Sequence, residues 1–496
     1  MKRNILYISI ATAALTLSSC NDFLDKQPSV SQDAPVTEAS QLLAIYDRTT
    51  HLETDNSMAT FGTDSYGLPR EQFLTDPSEF KVDGQLSYYL HHRDLLINTP
   101  RDYCWSGEYA KIYDANLIVE SAGSVSGDEA TKNTALAGAY LMRAYAYHVL
   151  ATTYCKPWSE ENKSSLGVPL RLKLDYEESL SRGTLEQTYD QILSDLEAAA
   201  QLTTLQAPDA DMPWRPSQCA VNAMFARIYL CRGEFDKALD YTNKALANAP
   251  ALYDYNTIQA GRATPYPAGG GFENNDTLYY SEWNDWPESS IYRYQEWIFP
   301  RLTNNGYQWN VPSKKLIALY DKDIDLRYKW LFVAHGNRRM NALYDAIRYC
   351  QFDDCRWTIE GPTTPELLLM KAELQVRAGQ WQEGLQTMQP LYAVRHSAAG
   401  SFTASSQSEA LRVVLDERHR EFPFSFIRLM DIQRYATTAT TEDDVVITRD
   451  FFDVSMMGVD TSSPKTYTIN PQQGDMVQPI FQVDIVASQG AIEQNP

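Results

Sequence analysis

Three groups of residues in this chain have types and spacings that do chemistry. The first is aromatic: Tyr279, Tyr280, Trp283 and Trp286, with Asn284 and Asp285 among them, then Tyr292 and, further on, Trp309. Sugar rings present apolar C–H faces that stack on aromatic planes, and their hydroxyls need acceptors and donors such as Asn284 and Asp285. Trp and Tyr give wide contact area at a low cost in side-chain entropy. The cluster therefore reads as a stacking platform, with Tyr66 from an earlier irregular stretch as an opposite wall. The competing reading is that these rings cover a core from outside. Tyr294 and Trp297, in a strand-like stretch, are assigned to packing.

The second group is charged. Glu417 and Glu421 stand one helical turn apart, as do Asp431 and Arg434. Such carboxylates either catalyse or lock helices through ion pairs; the alternation of signs favours ion pairs. Enzyme motifs are missing: no His-Glu-x-x-His, no G-x-S-x-G elbow, no G-x-x-x-x-G-K loop. Asp321, Asp323 and Asp325 open like a calcium loop, but neither the sixth-place glycine nor the twelfth-place glutamate follows, and the stretch reads as a helix end. His91-His92 reads as a surface pair. No catalytic residue, metal or cofactor is assigned. With 64 acidic residues, a carboxylate pair for glycoside hydrolysis is available in principle, and nothing in the sequence selects one.

The third is Cys20. Lys2 and Arg3 precede an apolar run from Ile5 to Leu17, then Leu17-Ser18-Ser19-Cys20. The run is about 13 residues, short of the ~20 that span a bilayer, and fits an export signal. The last four residues resemble a bacterial lipobox, in which Cys20 becomes the lipid-bearing first residue of the mature chain. The expected divisions are a signal peptide over 1–19, a lipidated tether over 20–36 and a single domain over 37–496.

Composition limits the partners. A formal charge of −21 disfavours nucleic acid and anionic headgroups. Hydrophobic content of 44% is ordinary for a large core, and aromatic content reaches 12%. The six cysteines beyond Cys20 are too sparse for a disulfide scaffold. Cys219 and Cys231 fall in one helical stretch, roughly 18 Å apart, too far to pair. Cys350 and Cys355 either bridge across a turn at Asp353-Asp354 or stay as buried thiols.

The elements that must carry these groups are mostly helical. Helical periods cover Thr37–Thr49, Trp105–Val119 (Trp105, Tyr109, Ile112, Tyr113, Asn116), Ala135–Tyr154 and Thr184–Leu202. Two segments repeat each other: Ala226, Gly233, Phe235 and Ala238-Leu239 recur as Ala372, Gly379, Trp381 and Gly384-Leu385 at identical spacing. This resembles the tetratricopeptide helix-turn-helix, in which small residues let two helices approach and a glycine ends the first. A third hairpin is expected between Ala135–Tyr154 and Thr184–Leu202. Residues 51–104, about 250–310 and the last 55 or so lack helical period, and Val445–Ile447 and Thr466–Ile469 suggest short strands. Long excursions from a compact scaffold are usually functional.

Glu417-Arg418-His419-Arg420-Glu421, followed by Arg428-Leu429-Met430-Asp431-Ile432-Gln433-Arg434, resembles the C-terminal signature of the SusD/RagB family of surface lipoproteins. Weaker matches follow the family's order: Cys20–Asp25, the Trp105–Asn116 helix, Arg143–Tyr147, Gly167–Leu170, Glu296–Phe299, Pro312–Leu316, Asp325–Arg327 and Glu366–Glu373. The chain departs at Ser425-Phe426, at Arg428-Leu429 and at Pro479-Ile480. The resemblance implies a mostly α fold of tetratricopeptide-like hairpins with an irregular, loop-rich layer. It also implies a non-catalytic role: binding a nutrient oligosaccharide or polysaccharide on the outward face of the outer membrane and passing it to a partner TonB-dependent transporter. A peptide ligand on the same architecture, an extracytoplasmic glycosidase, and an interaction scaffold that binds no nutrient are the alternatives.

Overall fold

The computed structural model describes residues 36–495, except 55–56, 76, 78–79, 81, 100, 176, 261–287, 305–309, 335–346 and 353–355. The helices that build the scaffold are α1 (Ala39–Tyr46), α2 (Tyr103–Ser121), α3 (Glu129–Tyr154), α4 (Leu185–Leu202), α5 (Gln218–Cys231), α6 (Phe235–Leu246), α7 (Leu326–Leu331), α8 (Thr364–Arg377), α9 (Trp381–Thr387), α10 (Gln389–Arg395), α11 (Gln407–Glu421) and α12 (Phe426–Tyr435). The helix over Ala135–Tyr154 starts six residues earlier than its period predicts, because Asp128 caps it and accepts from Thr131 N at 2.8 Å.

Three hairpins stack side by side. α3 packs on α4, α5 on α6 and α8 on α9; α4 meets α5, α6 meets α8, and α8 meets α11. α1 and α2 close the α3 side. The repeat seen in the sequence is the turn of the second and third hairpins. Gly233 (φ +70°) and Gly379 (φ +86°) both end a helix in the left-handed region, where any other residue is strained. α3 is the central element: from Gly138 to Tyr154 nearly every side chain is buried.

The irregular segments form a layer tied by short sheets. β1 (Glu53–Thr54) runs parallel to β2 (Leu302–Asn304), which pairs antiparallel with β5 (Trp357–Ile359), so early, middle and late excursions share one sheet. β3 (Phe332–Ala334) pairs with β4 (Ile347–Tyr349). At the C-terminal end β6 (Ile447–Ser455) and β7 (Gly458–Ile469) make a hairpin, longer than the short strands expected there. Tyr294 and Trp297 are buried, as their packing role requires, but in a turn; Trp297 makes a single bridge to Thr363. Asp325 sits at a helix beginning, the N-cap of α7, instead of a helix end. His91 belongs to no surface pair: it is half-buried, with φ +49° and its ring nitrogens 3.2 and 3.1 Å from the carbonyls of Gly62 and Asp475. Cys104, Cys155, Cys219 and Cys231 are buried thiols, and Cys350 is disulfide-bonded. Among the described residues no helix is long and apolar enough to cross a membrane.

Candidate functional site

Tyr279, Tyr280, Trp283, Asn284, Asp285, Trp286 and Trp309 lie outside the described residues, as does Cys20. Two members of the expected platform do not line it. Tyr66 is 1% exposed, edge-on between Phe61 and Phe424 at 4.9 and 4.7 Å. Tyr292 is 4% exposed and packs into the same core. Both are buried side chains of the main core.

The roots of the aromatic stretch are on view. Before it, Tyr253 and Tyr255 stand near a short helical turn; after it comes Tyr294-Gln295-Glu296-Trp297. Glu296 accepts from Tyr253 N at 2.7 Å and from Tyr294 Oη at 2.5 Å, joining the two roots directly. Arg395 at the end of α10 reinforces the joint. It donates to Tyr253 O at 2.8 Å and to Glu296 at 2.8 and 2.9 Å, and its guanidinium lies 3.9 Å from the Tyr255 ring centre. Trp297 Nε1 donates to Ile291 O at 2.7 Å, fixing the second root further. The described residues on either side of 261–287 are thus tied into one frame.

The charged signature is that frame's continuation. Arg395 also pairs with Glu421 of α11 at 2.7 Å, and Glu421 with Arg327 of α7 at 2.8 Å. Arg327 further meets Asp325 and Glu417, each at 2.8 Å, and Arg420 covers the far oxygen of Glu417 at 2.6 Å. A second net joins hairpins to α12. Arg418 bridges Asp431 and Glu366, Arg227 holds Glu366 at 2.5 Å, and Arg434 bridges Glu373 and Asp431. Burial alone pushes the Glu417 carboxyl up, but Arg327 and Arg420 outweigh it and hold it at about 2. Burial likewise opposes, and Arg434 and Arg377 overcome, the ionisation of Glu373, which stays well below the usual range. These carboxylates are neutralised and sealed from solvent, so they are ion-pair struts, as the sign alternation indicated.

A cavity of about 270 Å³ opens on the outer face of α2. Trp105 and Tyr109 form its wall with centroids 5.0 Å apart, and Trp105 is braced edge-on by Tyr154 at 5.1 Å. Pro169, Arg171, Lys173, Leu174 and Leu180 of a following loop, with Ile492, complete the lining. The loop is pinned: Tyr109 Oη donates to Pro169 O at 2.7 Å, Tyr147 Oη to Arg171 O at 2.8 Å and Asn116 Nδ2 to Arg171 O at 3.1 Å. Asn116 Oδ1 is taken by Arg143 Nη1 at 2.7 Å. In the sequence this stripe shows a helical period and forms part of the family resemblance, and neither marks a cavity wall. A core stripe and a cavity wall have the same period, and the partial exposure of Tyr113 was the one property that separates them.

Comparison with known proteins covers most of the chain. A family model described as "Starch-binding associating with outer membrane" matches residues 22–230, and the model of the SusD family matches residues 364–496. A SusD-like protein P2 of Formosa agariphila is 23% identical over 390 residues, 66% of this chain and 70% of that protein. Among solved structures, a SusD-like carbohydrate binding protein of Bacteroides vulgatus superposes with TM-score 0.62 at 15% identity, covering 92% of this chain and 97% of its own. Surface glycan-binding protein A of Bacteroides uniformis gives TM-score 0.60 at 16% identity over 92% and 98%. At these identities the solved structures establish the fold.

Proposed function

The chain belongs to the SusD/RagB family, and on that premise we propose that it binds a nutrient oligosaccharide or polysaccharide at the cell surface and delivers it to a TonB-dependent outer-membrane transporter. In this reading residues 1–19 are removed, Cys20 carries the lipid, residues 20–36 are the tether and 37–496 form one domain. Tyr279, Tyr280, Trp283, Trp286 and Trp309 supply stacking faces, and Asn284 and Asp285 supply the polar rim.

The observation that carries the proposal is the clamp on the excursion. A stretch dense in Trp and Tyr leaves and returns through roots joined by Glu296 and Arg395. Aromatic faces on a rooted segment bind with less ordering to pay for than the same faces on a free strand. The similar solved structures, a surface glycan-binding protein and a SusD-like carbohydrate binding protein among them, agree with a saccharide ligand. Binding proceeds without bond cleavage in this reading, and the signature carboxylates are held by arginines.

The test is a glycan array with the lipid-free protein, followed by titration of the best ligand against a Trp283→Ala/Trp286→Ala variant. Expected is binding by the wild type, its loss in the variant with unchanged melting temperature, and recovery of the ligand intact after long incubation. Undiminished affinity in the variant removes this platform. Hydrolysed product removes the non-catalytic reading, and binding of peptides alone replaces the ligand class.

A further inference from the structure

We propose that the cavity on α2 is a subsite for an apolar substituent, an acyl or aryl group, carried by a glycan whose sugar rests on Tyr113 at the cavity mouth. The proposal rests on the glycan-binding reading and adds a second contact remote in sequence from the 261–287 segment.

The interior is built for an apolar guest. Trp105, Tyr109, Ile112, Leu174, Leu180 and Ile492 supply the lining. The Tyr109 hydroxyl is engaged by Pro169 O, and both ends of the Asn116 amide by Arg171 O and Arg143. The Arg171 guanidinium is engaged by the carbonyls of Asp175 and Glu178 at 2.6 and 3.0 Å. A bare sugar ring placed inside would lose water from its hydroxyls and find few partners, which is costly. An aryl ring or short acyl chain loses nothing of the kind. The size agrees: a dry apolar cavity of about 150 Å³ takes benzene, and this one holds about 270 Å³.

The mouth differs from the interior. Tyr113 lies on the same helix, one position beyond Ile112, and is 46% exposed. Lys173 is exposed beside it on the loop. An aromatic plane and a solvated donor at the rim suit a sugar ring, which keeps its hydroxyls in water while its substituent goes in. The start of the loop is fixed at Pro169 and Arg171 by the hydrogen bonds just named.

The experiment compares p-nitrophenyl and methyl glycosides of the same sugar by ligand-observed NMR titration. The proteins are wild type, Leu180→Trp, which fills the cavity, Tyr113→Ala, which strips the mouth, and the Trp283→Ala/Trp286→Ala background. The aryl glycoside should bind wild type at least about tenfold more tightly, equivalent to about 1.4 kcal/mol. That advantage should persist in the Trp283→Ala/Trp286→Ala background and vanish in Leu180→Trp, while Tyr113→Ala weakens both glycosides. An aryl-to-methyl ratio near one in wild type, or a ratio untouched by Leu180→Trp, overturns the proposal. Leu174→Phe replaces Leu180→Trp if the latter melts early. If no glycan binds wild type at all, the functional reading fails separately. Free p-nitrophenol then decides the cavity: binding sensitive to Leu180→Trp upholds an apolar subsite, and no binding sinks it.

Discussion

Replacing Glu417 by Gln tests whether the signature motif is a strut. Glu417 is fully buried, with Arg327 on one oxygen and Arg420 on the other. Its folded pKa of about 2 lies below the 4.5 of an ordinary Glu, so the charged form stabilises the fold. A pKa held down by that much is worth about 3 kcal/mol at neutral pH. The sign follows: the stabilisation is complete above pH ~4.5 and disappears as pH falls toward 2. Gln keeps the shape and removes the charge, leaving Arg327 to Asp325 and Glu421. The loss expected at pH 7 is about 3 kcal/mol, the low end of breaking one side of a buried pair. With unfolding entropy near 2.1 cal/mol/K per residue over about 460 residues, this is a fall in Tm of about 3 °C. At pH 3 most of the linkage is gone, and the gap should shrink to about 1 kcal/mol. Scanning calorimetry at pH 7 and pH 3 reads both, with the exposed Glu383→Gln as a control expected to stay within about 0.5 kcal/mol. A Glu417→Gln gap that is absent at pH 7, or equal at both pH values, refutes the strut.

Gly379→Ala should cost about 1 kcal/mol by denaturant midpoint, because φ +86° strains the new Cβ although no atom lies within 4 Å of it. Burial raises Asp102 to about 6 despite bonds from Tyr154 Oη and Trp105 N. A raised carboxyl contributes stability below its unfolded pKa of about 3.8 that is lost as pH rises through 6. Asp102→Asn should therefore flatten the wild-type decline in Tm between pH 4 and 6. Cys20→Ala should leave ligand affinity intact in vitro and release the protein from the membrane fraction of cells, read by fractionation.

The scaffold was legible because its determinants are local. A turn glycine, small residues seven places before and five places after it and an aromatic plug specify a hairpin within 20 residues, and both copies fold as that pattern requires. The charged signature was legible in kind: alternating signs on one turn pointed to ion pairs. Its partners were not, since Arg327 lies 90 residues before Glu417. The aromatic layer was harder. In irregular backbone no period marks which ring faces in; Tyr66 is buried between Phe61 and the distant Phe424, and Tyr292 lies in the same core. The α2 cavity was hidden for the opposite reason, inside a stripe whose period looks like core.

Glu296 separates stability from function in the same network. It belongs to the chain of charges that runs from Arg327 through Glu421 and Arg395 to the root of the aromatic segment. Its pKa moves opposite to that of Glu417: burial, the largest influence, raises it, Arg395 pulls it down less, and nearby Glu421 adds to the rise. A carboxyl raised in the folded state contributes stability only at low pH, so its ionised form is a net cost at pH 7. Glu296→Gln should then leave Tm at pH 7 unchanged or slightly higher, where Glu417→Gln lowers it. The amide keeps one acceptor for Tyr253 N but turns a donor toward Tyr294 or Arg395, so the joint between the roots loosens. Affinity for the best array glycan should fall about tenfold, equivalent to about 1.4 kcal/mol, with the fold intact. A fall in Tm matching that of Glu417→Gln would mean that Glu296 is another strut. Unchanged affinity would mean that the clamp does not pre-order the binding segment.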